Sequence, residues 1–160
     1  MTIQPPITHI WFYSTRTPYR QFSNFYVSPF VLNNKSYKTV EHYFQSQKFI
    51  GTDHEEILRN AVTATDVKRL GRQRKRPLRP DWESCKENIM YTAVEAKILQ
   101  NSEIKDLLLS TEDKILCEHT NKDKEWADGN DPCWAPQSTY GKNKLGIILM
   151  KLRDQLYQVQ

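Results

Sequence analysis

The stretch Thr-Val-Glu-His-Tyr-Phe-Gln-Ser-Gln-Lys-Phe, residues 39–49, constrains this chain more than any other. It reads as one helix. At about 100° per residue, Glu41, Gln45 and Lys48 share a narrow stripe, with Phe44 on one side and Phe49 on the other. A surface helix ordinarily separates its polar and aromatic faces. Here a carboxylate, an amide and an amine are set among aromatics. Two readings follow. One is an exposed Glu–Lys face with both phenylalanines rooted in a core. The other is a partly buried site in which a carboxylate and a lysine tune each other's pKa.

The length of 160 residues fits one domain with its own core. Hydrophobic residues make up 38 % and charged residues 26 %, on the polar side of the globular range. The net charge of +4 is compatible with a phosphorylated ligand or a nucleic acid and selects neither. Cys85, Cys117 and Cys133 form no C-x-x-C pair and are odd in number, so they are expected as reduced thiols in a cytoplasmic protein. His9, His42, His54 and His119 lack zinc-site spacing, and no metal is expected. No apolar run reaches membrane-spanning length.

Residues 1–8 read as a loose terminus and Ile10–Tyr13 as a strand. Asn33-Asn34 between Phe30–Leu32 and Lys35–Lys38 predicts a hairpin, because Asn tolerates positive φ. Thr39 caps the helix that follows. Thr52 with Glu55 and Glu56 offers a capping box for a helix through Asn60. Thr65 caps another helix, which Gly71 ends. Asp81 caps the longest one, Trp82 to Gln100, with a stripe of Cys85, Ile89, Ala93 and Ala96, widened by Met90, Val94 and Ile98. Ser102 starts a short helix, and Lys114–His119 is a second strand region. Thr120–Lys142 is a long loop of the kind that is functional or disordered. An amphipathic helix carrying Leu145, Ile148, Leu149, Leu152 and Leu156 closes the chain.

Several groups can carry chemistry. Glu41 is an acid if desolvated, or a base and stabiliser of positive charge if Lys48 keeps it ionised. Lys48 can bind phosphate, orient a hydroxyl or attack a carbonyl carbon. The cations Lys68, Arg69, Arg72, Arg74, Lys75, Arg76 and Arg79 suit a nucleic-acid backbone, or one or two of them suit a ligand phosphate while the rest are solvated. No aromatic lies between them, which favours the latter. Trp82 is a packing residue or a platform for a flat heterocycle. Trp126-Ala127-Asp128-Gly129 can present a carboxylate and backbone N–H groups. Gly141-Lys142-Asn143 leads into a helix N-terminus, where Asn143 serves as an ordinary N-cap or favours an anion.

Taken together, Phe22-Ser23-Asn24-Phe25, Glu41-His42-Tyr43-Phe44-Gln45-x-Gln47-Lys48-Phe49, Leu70-Gly71-Arg72, Arg79-x-x-Trp82, Trp126-x-Asp128-Gly129 and Gly141-Lys142-Asn143-x-Leu145-Gly146 resemble the YbiA-like, or NADAR domain, family over nearly the whole chain. The resemblance implies a single α+β domain, mostly helical with a few short strands. It implies an N-glycosidase with no cofactor. Two substrate classes are associated with the family: phosphoribosylamino-pyrimidine intermediates of riboflavin synthesis, and ADP-ribose on guanine in nucleic acid. Glu41 matches the catalytic glutamate, with Lys48 and Asp128 as further catalytic positions. Asn24, Gln45, Arg72, Trp82, Trp126, Gly129 and Asn143 are the expected substrate contacts, and Arg69, Arg72 and Arg79 the candidate 5′-phosphate ligands. Residues 130–140 depart from the family's shorter turn and bear on substrate size. The rival reading is a non-catalytic module that binds ADP-ribose or nucleic acid. Whether a toxin partner exists is not legible in the residues.

Overall fold

A computed structural model describes residues 7–159, so all but the last two residues of the expected loose terminus lie outside the described residues. Six helices and four short strands are present among the described residues, the mostly helical α+β composition that was expected. The chain forms two contact-dense units. The first comprises the chain up to Ser23 together with Glu103 onward, and the second comprises Asn24–Ser102.

In the second unit, β2 (Phe30–Leu32) and β3 (Lys35–Tyr37) pair antiparallel across Asn33 and Asn34, both at positive φ as the hairpin required. Phe30 and Tyr37 carry the hairpin's aromatic face onto Tyr43 of the next helix, with the Tyr37 and Tyr43 rings 4.9 Å apart. That helix, α1 (Val40–Gln47), starts where the Thr39 side chain accepts from the His42 N–H. All eight of its residues are buried. Helices α2 (Asp53–Arg59), α3 (Ala64–Arg72) and α4 (Trp82–Gln100) pack around it. Phe49, Leu58 and Val67 fill the space behind it, flanked by Ala61, Leu70 and Leu78.

Three caps differ from expectation. The cap of α3 is Thr63, which accepts from the Asp66 N–H; Thr65 lies inside the helix. At α2 the expected capping box does not form: the Thr52 hydroxyl and N–H both donate back to Phe49 O, and Glu55 accepts from the N–H of Gly51, one residue before the cap. At α4 the Asp81 carboxylate is gripped at both oxygens by Arg79, because a guanidinium fork outcompetes a single helix N–H. The inward stripe of α4 holds the expected Ala96 and, except at its N-terminal end, the other residues read for it. Met90, Ala93, Val94, Lys97 and Ile98 are buried, while Cys85 and Ile89 are half-exposed. A lysine sits in that stripe because its stem packs inside and its ammonium lies over the Tyr26 ring.

In the first unit, β1 (His9–Phe12) and β4 (Ile115–Glu118) pair in parallel, with His9 opposite Ile115 and Phe12 opposite Glu118. Helix α5 (Ser102–Ser110) buries Ile104 and Leu108. Helix α6 (Lys144–Val159) packs on β4 through Leu145, Ile148, Leu149 and Leu152. Arg153 ties α6 to the turn before β4 through Thr111 Oγ1 and Lys114 O.

The two threonines near the start of α3 give a direct check. In urea denaturation, Thr63→Ala is expected to lose about 1 kcal/mol, the usual worth of an N-cap. The neighbouring Thr65→Ala should stay within about 0.5 kcal/mol of wild type. Equal losses would contradict the assigned cap.

Candidate functional site

The stripe on α1 is buried rather than exposed. Glu41, Gln45 and Lys48 retain 7 %, 5 % and 7 % of their surface, which removes the reading of an exposed Glu–Lys face. Asn24 O accepts the Glu41 N–H, fixing the entry to the helix. Within the stripe, Gln45 Nε2 donates to Glu41 Oε1 at 2.7 Å. Gly71 of α3 lies against this pair: a Cβ there would run into the Gln45 amide. Gly71 therefore serves close helix packing inside α3 and does not end the helix as expected. The side-chain amide oxygens of Asn24 and Gln45, Oδ1 and Oε1, are buried and lack hydrogen-bond partners. The Asn24 Nδ2 donates to the Met90 sulfur at 3.5 Å.

Lys48 leaves the end of α1 and turns its amine into an aromatic corner. Its Nζ lies 5.9 Å from the centre of the Phe44 ring and 5.7 Å from that of Trp82. Those two rings tilt against each other at 5.0 Å. Trp82 is 5 % exposed, so in the free chain it packs on Phe44 and Lys48. The amine donates to Gly71 O at 3.4 Å.

Burial governs both charges. It raises the Glu41 carboxyl above the ordinary carboxylate range, opposed by the Gln45 hydrogen bond and then by the charges of Lys68, Lys48 and Arg72. It lowers the Lys48 amine to about 8, helped by Arg74, and the Glu41 charge only partly opposes this. Of the two states open to Glu41, burial favours the desolvated one, outweighing the attraction of Lys48. Burial thus brings the two titrations closer together, the carboxyl moving up and the amine down to about 8, which eases proton donation by the one and attack on an electrophilic carbon by the other.

The basic run divides by partner. Arg76 pairs with Asp53 at 2.9 Å and Arg79 with Asp81 at 2.7 Å, while Arg69 stands 3.9 Å from Asp66. Arg72 and Arg74 are exposed and have no carboxylate partner among the described residues. Arg74 was not singled out by the sequence, yet it donates to the same Gly71 carbonyl as Lys48. Its place three residues after Gly71 was the one available signal.

The remaining expected residues lie in the first unit. Asp128 is fully buried and its carboxylate is filled from within: His119 Nδ1 at 2.6 Å, and the N–H groups of Thr120 and Asn130 at 3.2 and 2.8 Å. His119, which the sequence did not mark, rests on the Trp11 ring. Asn143 is equally absorbed. It is at positive φ, its Nδ2 donates to Leu116 O and its Oδ1 accepts from Glu118 N–H, so the side chain stitches α6 to β4 and does not cap the helix. Gly129, at φ +66°, lies backbone to backbone against Tyr140 and Gly141, which a side chain would prevent. Trp126 is half-buried with Lys144 over its ring. The loop is held internally by Asp123, by Asp131 with Ser138, and by the buried Trp134 donating to Gly141 O. Burial pushes the Cys117 thiol up to about 12, aided by Asp128 and Asp131, so it is no nucleophile. No cluster of metal ligands occurs among the described residues.

The sign of the Glu41 shift fixes a stability test. Below the unfolded-state pKa both folded and unfolded chains hold the proton, and the carboxyl adds no charge penalty. As pH rises through the elevated folded pKa, the wild type loses stability that Glu41→Gln does not lose. Denaturation at points from about pH 4 to about pH 9 should show the variant gaining on the wild type, then levelling off. A constant difference across that range would remove the inferred shift.

These features have close counterparts. A profile of the NADAR domain matches residues 11–157, across both units. The N-glycosidase YbiA of Escherichia coli is 44 % identical, covering 93 % of this chain and 89 % of that protein. An N-glycosidase of Nostoc punctiforme is 36 % identical, covering 92 % of each. A riboflavin biosynthesis protein of Vibrio vulnificus is 34 % identical over 93 % of this chain but only 39 % of its own length. The NMR structure of E. coli YbiA superposes with a TM-score of 0.83 at 42 % identity, covering 98 % of this chain and 89 % of that one. With a buried carboxylate and amine on α1 and a match of this extent, the chain belongs to the NADAR domain family.

Proposed function

We propose that this chain hydrolyses the N-glycosidic bond of a phosphoribosylamino-pyrimidine intermediate of riboflavin biosynthesis. ADP-ribose attached to the guanine amino group is the second substrate class that the same chemistry admits. The hydrolase class is supported by 44 % identity to an N-glycosidase and by a second relative of that name. The riboflavin assignment is supported by the name of the Vibrio vulnificus relative.

The observation that carries the reading is the opposite bias of Glu41 and Lys48 in one buried stripe. The Lys48 lone pair forms a bond to the ribosyl anomeric carbon as the carbon–nitrogen bond breaks. The bonding electrons leave with the substrate amine, which takes the proton of Glu41. The glycosyl-lysine opens to an imine. Water then adds to the imine carbon, the sugar aldehyde departs, Lys48 is restored as an amine and a proton returns to Glu41. Phe44 and Trp82 keep water from the amine, which holds its pKa down. Gln45 orients the carboxyl, and the unpartnered side-chain Oδ1 of Asn24 accepts a sugar hydroxyl.

The purified chain should release ribose 5-phosphate from the phosphoribosylamino-pyrimidine. Glu41→Gln and Lys48→Ala should each slow it by about a hundredfold or more. Borohydride added during turnover should attach the reduced sugar to Lys48, read by peptide mass. Turnover without that adduct would leave Lys48 an electrostatic role. Tight binding of ADP-ribose with no release from either substrate would move the protein to the class of non-catalytic readers.

A further inference from the structure

We propose that Arg74, with Arg72 beside it, is the subsite for the 5′-phosphate of the sugar that meets Lys48. The inference rests on the reading of Lys48 as the group facing the anomeric carbon, and it replaces Arg79 and Arg69 as the expected phosphate ligands.

The geometry is specific. Arg74 Nη1 is pinned to two backbone carbonyls, Gly71 O at 2.8 Å and Gln73 O at 3.3 Å. The Nε and Nη2 edge of the same guanidinium has no acceptor among the described residues. A guanidinium held by one corner with a two-donor edge left over is preorganised for a tetrahedral oxyanion, because little rotamer freedom remains to be lost. Gly71 O also accepts from Lys48 Nζ. One oxygen therefore ties the amine and the guanidinium together, within the length of a pentose 5-phosphate. Lys48 is itself 7 % exposed, so one wall of this site is built into the interior.

The other cations fit less well. Arg79 spends its Nε and Nη2 on both oxygens of Asp81. Arg76 is bonded to Asp53, and Arg69 lies near Asp66. Glu41 is bonded to Gln45 and makes no ion pair with Lys48, Arg72 or Arg74. Arg72 follows Gly71 directly and has no carboxylate partner among the described residues, so a phosphate dianion would face two uncompensated guanidiniums. A phosphate monoester is the ligand chemistry that matches: two or more acceptor oxygens on a sugar short enough to reach the amine.

Binding can test this apart from turnover. Calorimetric titration with ribose 5-phosphate, ribose and inorganic phosphate should rank ribose 5-phosphate tightest, with ribose about tenfold weaker or more. Arg74→Ala and Arg72→Ala should each erase about tenfold of the preference for ribose 5-phosphate over ribose, leaving ribose itself unchanged. Arg74→Lys should restore little, because an ammonium lacks the forked edge. Arg76→Ala and Lys75→Ala should keep the preference. An undiminished preference in Arg74→Ala would overturn the subsite, as would equal losses in Lys75→Ala and Arg76→Ala, which would reveal a diffuse basic surface. If Arg74 governs ribose 5-phosphate binding and no substrate is cleaved, the hydrolase reading fails and the subsite stands. If cleavage proceeds in Arg72→Ala and Arg74→Ala with unaltered KM, the subsite fails and the hydrolase reading stands.

Discussion

Everything in the second unit follows from burying α1 on every side. A helix of eight residues with no exposed position has nowhere to send its polar groups. Each must be bonded, neutralised or left at a cost. His42 is bonded at both ring nitrogens, to Thr39 and to Ala61 O, and Ser46 returns its hydroxyl to Tyr43 O. Those are structural solutions. Glu41 and Lys48 are not solved in that way. Their Cα atoms are about 10 Å apart along the axis, seven residues at 1.5 Å each, and no ion pair joins them. Their mutual attraction is outweighed by the cost of taking two charges out of water. Both groups consequently drift toward their neutral forms.

The second unit tolerates this cost because its packing over-determines the helix. The hairpin aromatics hold one face of α1, Phe49 and its cluster anchor its end, and α3 comes close because Gly71 has no side chain. A glycine inside a helix costs about 1 kcal/mol relative to alanine. Here it gains a backbone approach that sets Gln45 on Glu41 and offers its own carbonyl to Lys48 and Arg74. One residue without a side chain thus serves the carboxyl, the amine and the guanidinium.

What the sequence made legible were features decided within a few residues. Asn33-Asn34 dictated a tight hairpin, Thr39 marked the start of α1, and α4 runs from Trp82 to Gln100 as its apolar stripe required. The stripe of Glu41, Gln45 and Lys48 was visible, but its exposure was not, because burial depends on which helices pack against it. The misread elements share that cause. Thr63 and Thr65 are equally good caps by chemistry, and the choice between them came from where the chain enters the core. Gly71 looks like a terminator to any local rule. Asp128 and Asn143 looked like ligand contacts because polar residues beside glycines commonly are. In the structure their side chains hold His119 and β4 in place, through partners nine and twenty-five residues or more away that no spacing rule links.

The basic run shows the limit of composition as an argument about partners. A count of its cations suggests a nucleic-acid surface, yet the carboxylates that answer them come from α2, α3 and the residue before α4. Surface ion pairs of this kind are worth little in stability. They still matter for recognition, because a cation already facing a carboxylate offers a phosphate less. Subtracting Arg69, Arg76 and Arg79 leaves Arg72, Arg74, Lys75 and Lys68, and Lys68 lies over the Phe25 ring. The remainder is concentrated around Gly71 rather than spread along a track. A concentrated positive charge beside a buried amine suits one small dianion better than a polymer of phosphates, whose affinity grows with the number of cations aligned to it. The distribution of carboxylates, more than the number of lysines and arginines, points this chain toward a phosphorylated metabolite.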